Sequence, residues 1–165
     1  MGAPGDDSFQ GAAYIFGAIP SAVKQGVISN LQALLPTGNV STDALLKVAI
    51  SMLSKSVNPS SYLDALHLKG TTGILVFTFE QTAVRQLMVI RNPPAAIAPA
   101  LNNLAQADQV FAQTAIADAI ARGGKPAKIA KAQGQLAQAH AAAGTGNVFR
   151  AIGFFRSAWQ TAMGA

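Results

Sequence analysis

The sequence predicts an all-α fold: a helical bundle of about six to seven helices that closes with an antiparallel three-helix unit. Apolar residues recur at three- and four-residue steps along most of the chain, the period of one helix face. Proline and glycine signals punctuate those stretches at Pro36-Thr37-Gly38, Asn58-Pro59, Pro93-Pro94, Gly123-Gly124 and Gly144-Thr145-Gly146, where helices stop and turn. One segment alone has strand-like content, and no second one is available to pair with it.

Taken in order, Asp6 to Ile19 predicts a short opening helix. Pro20 to Leu35 places Val23, Val27, Leu31, Leu34 and Leu35 on one face. Ser41-Thr42-Asp43 offers an N-cap for a helix through Leu45, Leu46, Val48, Ala49, Met52 and Leu53 that closes before Asn58-Pro59. Gly73-Ile74-Leu75-Val76-Phe77-Thr78-Phe79 is rich in β-branched and aromatic residues, which suits a strand. A lone strand leaves its backbone groups unsatisfied unless a neighbouring subunit supplies the partner, so a helix over about 73–91 is expected, through Ala83, Val84, Leu87 and Met88.

Two successive prolines at Asn92-Pro93-Pro94 divide the chain into an N-terminal helical region, 1–93 with a loose arm at 1–7, and an Ala-rich region, 94–165. The second holds 23 of the 33 alanines. It predicts helices over about 96–121, 126–143 and 147–162, with the stripes Leu101, Leu104, Asp108, Phe111, Ala115; Ile129, Ala132, Leu136, Ala139; and Ile152, Phe155, Trp159. Short glycine turns between them predict antiparallel neighbours.

Charge is scarce. Asp, Glu, Lys and Arg make up 12% of the residues, against roughly 25% in ordinary soluble domains. Gln, Asn, Ser and Thr, 38 residues together, must cover much of the surface instead. Such a surface is buried against a neighbour at low desolvation cost, because few ions must lose their water. Self-association is the expected consequence, and the chain itself the expected partner. The longest uncharged runs, Gln25 to Thr42 and Ala132 to Phe149, contain Asn, Gln, Pro or Gly and turn signals, so no membrane span is expected. Without cysteine the chain has neither disulfides nor thiolate zinc ligands. Met1 to Gly5 reads as a loose arm, or as the start of a processed or re-engineered chain, and leaves secretion open.

Candidate chemistry is thin. His67 and His140 are the only histidines and share no ligand spacing. Asp6-Asp7 is the one adjacent acid pair; Asp43, Asp64, Glu80, Asp108 and Asp118 are scattered. No nucleophile elbow or phosphate loop is present. Catalytic, cofactor and metal sites are therefore not expected, and the chain reads as no enzyme. Arg122, Lys125, Lys128 and Lys131 form a cationic elbow at a helix start, where the dipole favours anions. An anionic partner fits there. The small patch with no interleaved aromatic residue argues against nucleic acid. In an assembly, Asp6-Asp7 of a neighbouring subunit could dock on the elbow. The interface candidates are thus Asp6, Asp7, Ile74, Val76, Phe77, Phe79, Lys125, Lys128, Lys131 and Phe154, the last lying off the Ile152-Phe155-Trp159 stripe.

Tyr62-Leu63-Asp64-Ala65-Leu66-His67-Leu68, followed by Gly73, Val76-Phe77, Glu80, Ala83-Val84 and Leu87-Met88, resembles an uncharacterised all-helical C-terminal domain of secreted bacterial proteins. Ala107-Asp108, Thr114 to Ala119, Gly123-Gly124, Lys128 to Ala132, Leu136-Ala137, Ala151-Ile152 and Ala158-Trp159 are similar to its closing three-helix part, which is itself tetratricopeptide-like. The likeness covers about 62–163. It implies an extracellular or cell-surface setting and no known enzymatic activity, and it supplies no catalytic residues. Many positions that are charged on the outer faces of such domains are Gln, Ala, Gly or Thr here, which suits a subunit whose outside becomes an inside. The expected function is a non-enzymatic structural subunit that assembles into an extracellular filament, sheath or layer; the alternative is a helical protein- or peptide-binding module.

Overall fold

The computed structural model describes residues 19–165. Among these the chain forms six α-helices: α1 Pro20–Gln32, α2 Val40–Ser56, α3 Gly73–Met88, α4 Ile97–Ala121, α5 Pro126–Gly144 and α6 Val148–Met163. A single 3-10 turn spans Pro59–Ser61. The described residues hold no strand, only an isolated antiparallel bridge between Tyr62 and Leu68. The fold is the expected all-α bundle. The opening helix expected from Asp6 falls outside the described residues, as do Asp6 and Asp7 themselves.

The stops are those the turn residues dictate. Pro20 opens α1 and Pro126 opens α5, where a missing N–H costs nothing. Asn39 and Asn147 cap α2 and α6 by accepting from Thr42 N and Arg150 N. The α2 cap lies two residues ahead of the expected Ser41-Thr42-Asp43, because Asp43 is drawn back to accept from Thr37 N and Oγ1. Gly123 and Gly146 take positive φ after α4 and α5, the conformation that a side chain disfavours.

Residues 73–79 are the first turns of α3, the helical alternative. The helical period then separates residues that a strand would have presented together. Val76 and Phe77 point inward with Ala83, Val84 and Leu87 and are fully buried in the monomer core. They are not available to a neighbour, which corrects their place among the interface candidates. Ile74 and Phe79 are only half-buried and Leu75 and Thr78 are exposed.

The two sequence regions pack on each other, α1 against α4 and α3 against α6, while α2 packs on α3 within the first region. Gly73 enables the closest approach: a Cβ there would meet Leu68 Cβ at 2.6 Å and the Trp159 ring at 2.9 Å. In the closing unit, Lys128 Nζ near the start of α5 donates to Gly164 O just past α6, and Gly124 lies against Ala165. The end of α6 thus meets the end of α4 and the start of α5, so α5 runs antiparallel to α6. α5 buries only Ala132, Ala139 and Ala142, small side chains that let its backbone lie close to α6.

Candidate functional site

Three charged side chains lie at the centre of the bundle. Lys24 from α1 reaches between α3 and α4, its Nζ 2.9 Å from Asp108 Oδ1 and 2.6 Å from Glu80 Oε1, and all three side chains are fully buried. The Phe111 ring covers the ammonium at 4.6 Å and packs edge-on against Tyr62 and Phe77. Each charge sits in phase with the apolar stripe of its helix: Lys24 with Val27, Ile28 and Leu31, Glu80 with Val76, Phe77 and Val84, Asp108 with Leu104, Phe111 and Ala115. The helical period therefore drives all three inward along with their apolar neighbours.

The cluster holds itself by unequal protonation. Burial opposes the Lys24 charge, but the Asp108 and Glu80 carboxyls outweigh it and hold the ammonium's pKa above the ordinary lysine value. Burial, reinforced by the adjacent Asp108, raises the Glu80 carboxyl well above the usual carboxylate range. The ammonium contacts both carboxyls, and Glu80 is the one that burial pushes toward its neutral form. Glu80 Oε1 lies close to Nζ, and no donor outside the cluster reaches Glu80 Oε2 or Asp108 Oδ2. Tyr62, at the edge of this cluster, donates to Ser56 O at 2.8 Å, and burial pushes its phenol up to about 12.

Turning these charges inward changes the outside. Of the twelve basic and five acidic residues among 19–165, Lys24, Glu80 and Asp108 are buried, leaving eleven cations and three carboxylates outside the core, a net +8. The three carboxylates are already engaged. Asp43 binds Thr37, and Asp64 and Asp118 hold His67 from either side, at 2.7 Å from Nδ1 and 3.1 Å from Nε2. Among the described residues, none of the eleven outer Lys and Arg side chains forms an ion pair. The exposed positions of α1 are Ala22, Gln25, Gly26, Ser29, Asn30 and Gln32, with no charge at all. On α3 the exposed residues are Leu75 (43%), Thr78, Arg85 and Met88 (50%), followed by Val89 (59%), with a single charge.

The His67 clasp ties the 62–68 loop to α4. Asp64 Oδ1 also accepts from Leu66 N and His67 N, so the loop is closed on itself before it reaches Asp118. The hydrogen bond that His67 donates to Asp64 raises the His67 pKa above 6.5, and the backbone N–H of Leu66 lowers that of Asp64 below 3.8. A raised folded pKa means stability fully present below the unfolded value and lost as pH rises; a lowered carboxyl means the reverse. The clasp is thus complete between about pH 3.8 and pH 6.5 and weakens on either side. In denaturant titrations His67→Ala is expected to remove the decline in midpoint above pH 6.5 while leaving the fold intact.

A shallow surface runs around the start of α6. Asn147, Arg150 and Phe154 line a depression of about 410 Å³ with residues of α5, and the same three with Phe149 and Gln81 line a second of about 410 Å³ toward α3. Arg85 and Met88 with Phe149 bound a third of about 390 Å³. Arg85 stacks over Phe149 at 5.1 Å and Arg150 over Phe154 at 5.3 Å. Phe154 is half-buried in this surface. At the elbow Lys125, Lys128 and Lys131 are exposed around the N-terminus of α5, Lys125 occupying the cap position. Among the described residues no group of three or more His, Asp or Glu is placed to hold a metal ion, and no helix is long and apolar enough to cross a membrane.

The sequence reading placed Asp108 on the apolar stripe of α4 but left Lys24 and Glu80 unremarked as its partners. A charge at stripe phase on each of three helices was the available signal. It also overlooked Asp64, three residues ahead of His67, as a partner of that ring. No family model, curated protein or solved structure matches this chain.

Proposed function

We propose that this chain is a non-enzymatic structural subunit that assembles with copies of itself, outside the cell or at its surface, into a filament, sheath or layer. The observation that carries the reading is the inward placement of the Lys24, Glu80 and Asp108 charges, which leaves the outer face of α1 uncharged and that of α3 with Arg85 alone. Burying those faces strips few ions of water, and Leu75, Met88 and Val89 add apolar area to them. Leu75→Asp and Met88→Asp place a charge on the α3 face without touching the core. The expected result is loss of concentration-dependent light scattering with an unchanged circular dichroism spectrum. Undiminished scattering from both variants would remove α3 from the interface.

The Phe149, Arg150 and Phe154 surface favours a second reading, a helical module that binds a protein or peptide. Aromatic rings beneath guanidinium groups beside open depressions suit an extended segment with acidic and apolar side chains. Phe154→Ala separates the two readings, since it should abolish capture of such a segment and leave assembly through α1 and α3 in place.

A further inference from the structure

We propose that Lys24 and Glu80 join in an intramolecular amide bond, with Asp108 as the group that takes the proton. The three groups already stand at reaction distance in a site closed to solvent: Nζ is 2.6 Å from a Glu80 oxygen and 2.9 Å from Asp108 Oδ1, and every side chain is fully buried. The contact to Asp108 is a hydrogen bond, along which a proton can pass. The contact to Glu80 is closer still, so the same nitrogen lies within reach of that carboxyl as well. A base and an acyl group both within reach of one amine is the arrangement that amide formation requires.

The step balances within the cluster. Lys24 gives one ammonium proton to the Asp108 carboxylate along their hydrogen bond, an uphill transfer because both carboxyls favour the ammonium, and the freed amine attacks Cδ of the protonated Glu80 carboxyl. The Nζ–Cδ bond forms and a Cδ–O bond breaks. The departing oxygen leaves as water, carrying the acid's own proton and a second proton from nitrogen. The products are an amide, a neutral Asp108 and one water; no oxidant, cofactor or activating group is needed. In bulk water an ammonium and a carboxylic acid do not condense, because the ions are well solvated and water is in excess. Here the ion pair has lost its hydration, and the amide replaces it with uncharged groups that are less costly to bury. Phe111, Phe77 and Tyr62 wall the site with aromatic surface and hinder the return of water. The bond would tie α1 to α3 across 55 intervening residues, those between positions 24 and 80. It is a property of the single chain and stands whether or not copies assemble.

Intact-mass spectrometry on the folded full chain tests it, with tryptic peptide sequencing to locate the bond. The expected result is a mass lower by one water than the sequence mass, and a branched peptide in which Lys24 is uncleaved and joined to Glu80. The same chain kept in denaturant from synthesis onward should retain the full mass. Asp108→Asn keeps the side-chain volume but cannot accept the proton, and is expected to fold with its full mass. A folded wild-type chain at full mass overturns the proposal. A branch at Asp108 in place of Glu80 overturns the assignment of acyl and base.

Discussion

Lys24→Met is expected to lower folding stability by about 3–5 kcal/mol, the usual cost of removing one partner from a buried ion pair. The cost arises from what stays behind. Asp108 loses its only counter-ion in a fully buried site. The loss grows where the Lys24–Glu80 bond has formed. Replacing all three members together, Lys24→Met with Glu80→Leu and Asp108→Leu, should recover much of the loss, because apolar side chains of similar volume need no partners. Denaturant unfolding of the single and triple variants checks both. Equal stability of Lys24→Met and the parent chain would show that the cluster is hydrated in solution and not the sealed site described above.

Phe111→Ala is the second large effect, expected at about 3–5 kcal/mol. The ring is buried at the junction of the cluster and the core, touching Lys24, Tyr62 and Phe77. Truncation leaves a cavity beside an ion pair, so the cavity is expected to fill with water rather than stay empty. That outcome distinguishes it from an ordinary core truncation. Calorimetry should show the stability loss, and hydrogen exchange should show faster opening of α1, which is tethered to this site through the buried Lys24–Asp108 hydrogen bond.

Much of the fold was legible because the punctuation is physical. Proline at the first helical position and glycine at positive φ fix the ends of α5 and the turns on either side of it to within a residue or two of the reading from sequence. Residues 73–79 were decidable only by elimination: strand propensity favoured a sheet, and the absence of a pairing partner favoured the helix that is found. Treating that segment as one surface then misplaced Val76 and Phe77, since a helix sends alternate pairs of residues to opposite sides. The buried cluster was half legible. Lys24, Glu80 and Asp108 each keep stripe phase, but which stripes meet depends on the packing of α1, α3 and α4, and a local period carries no information about that. The Arg85–Phe149 stack is of the same kind, its members being 64 positions apart in the chain, whereas Arg150 and Phe154 are an i,i+4 pair within α6 that the helical period itself brings together.

Charge segregation connects the core to the proposed assembly. Three of the few charges go inward, and the described surface keeps eleven cations whose carboxylates are buried or engaged. Copies meeting through α1 and α3 would do so against the mutual repulsion of that surface, which salt screens over about 10 Å at 0.1 M. The arm-to-elbow contact between Asp6-Asp7 and Lys125, Lys128 and Lys131 would instead weaken with salt. The two arrangements are separable by the sign of the salt effect.

Negative-stain microscopy of the purified full chain over a range of concentrations and salts tests the assembly most directly. Regular polymers that lengthen with concentration, and with salt as repulsion is screened, are the predicted result. A chain that stays monomeric at the highest concentration in every salt would contradict it, and would direct attention to a partner for the Phe149–Phe154 surface.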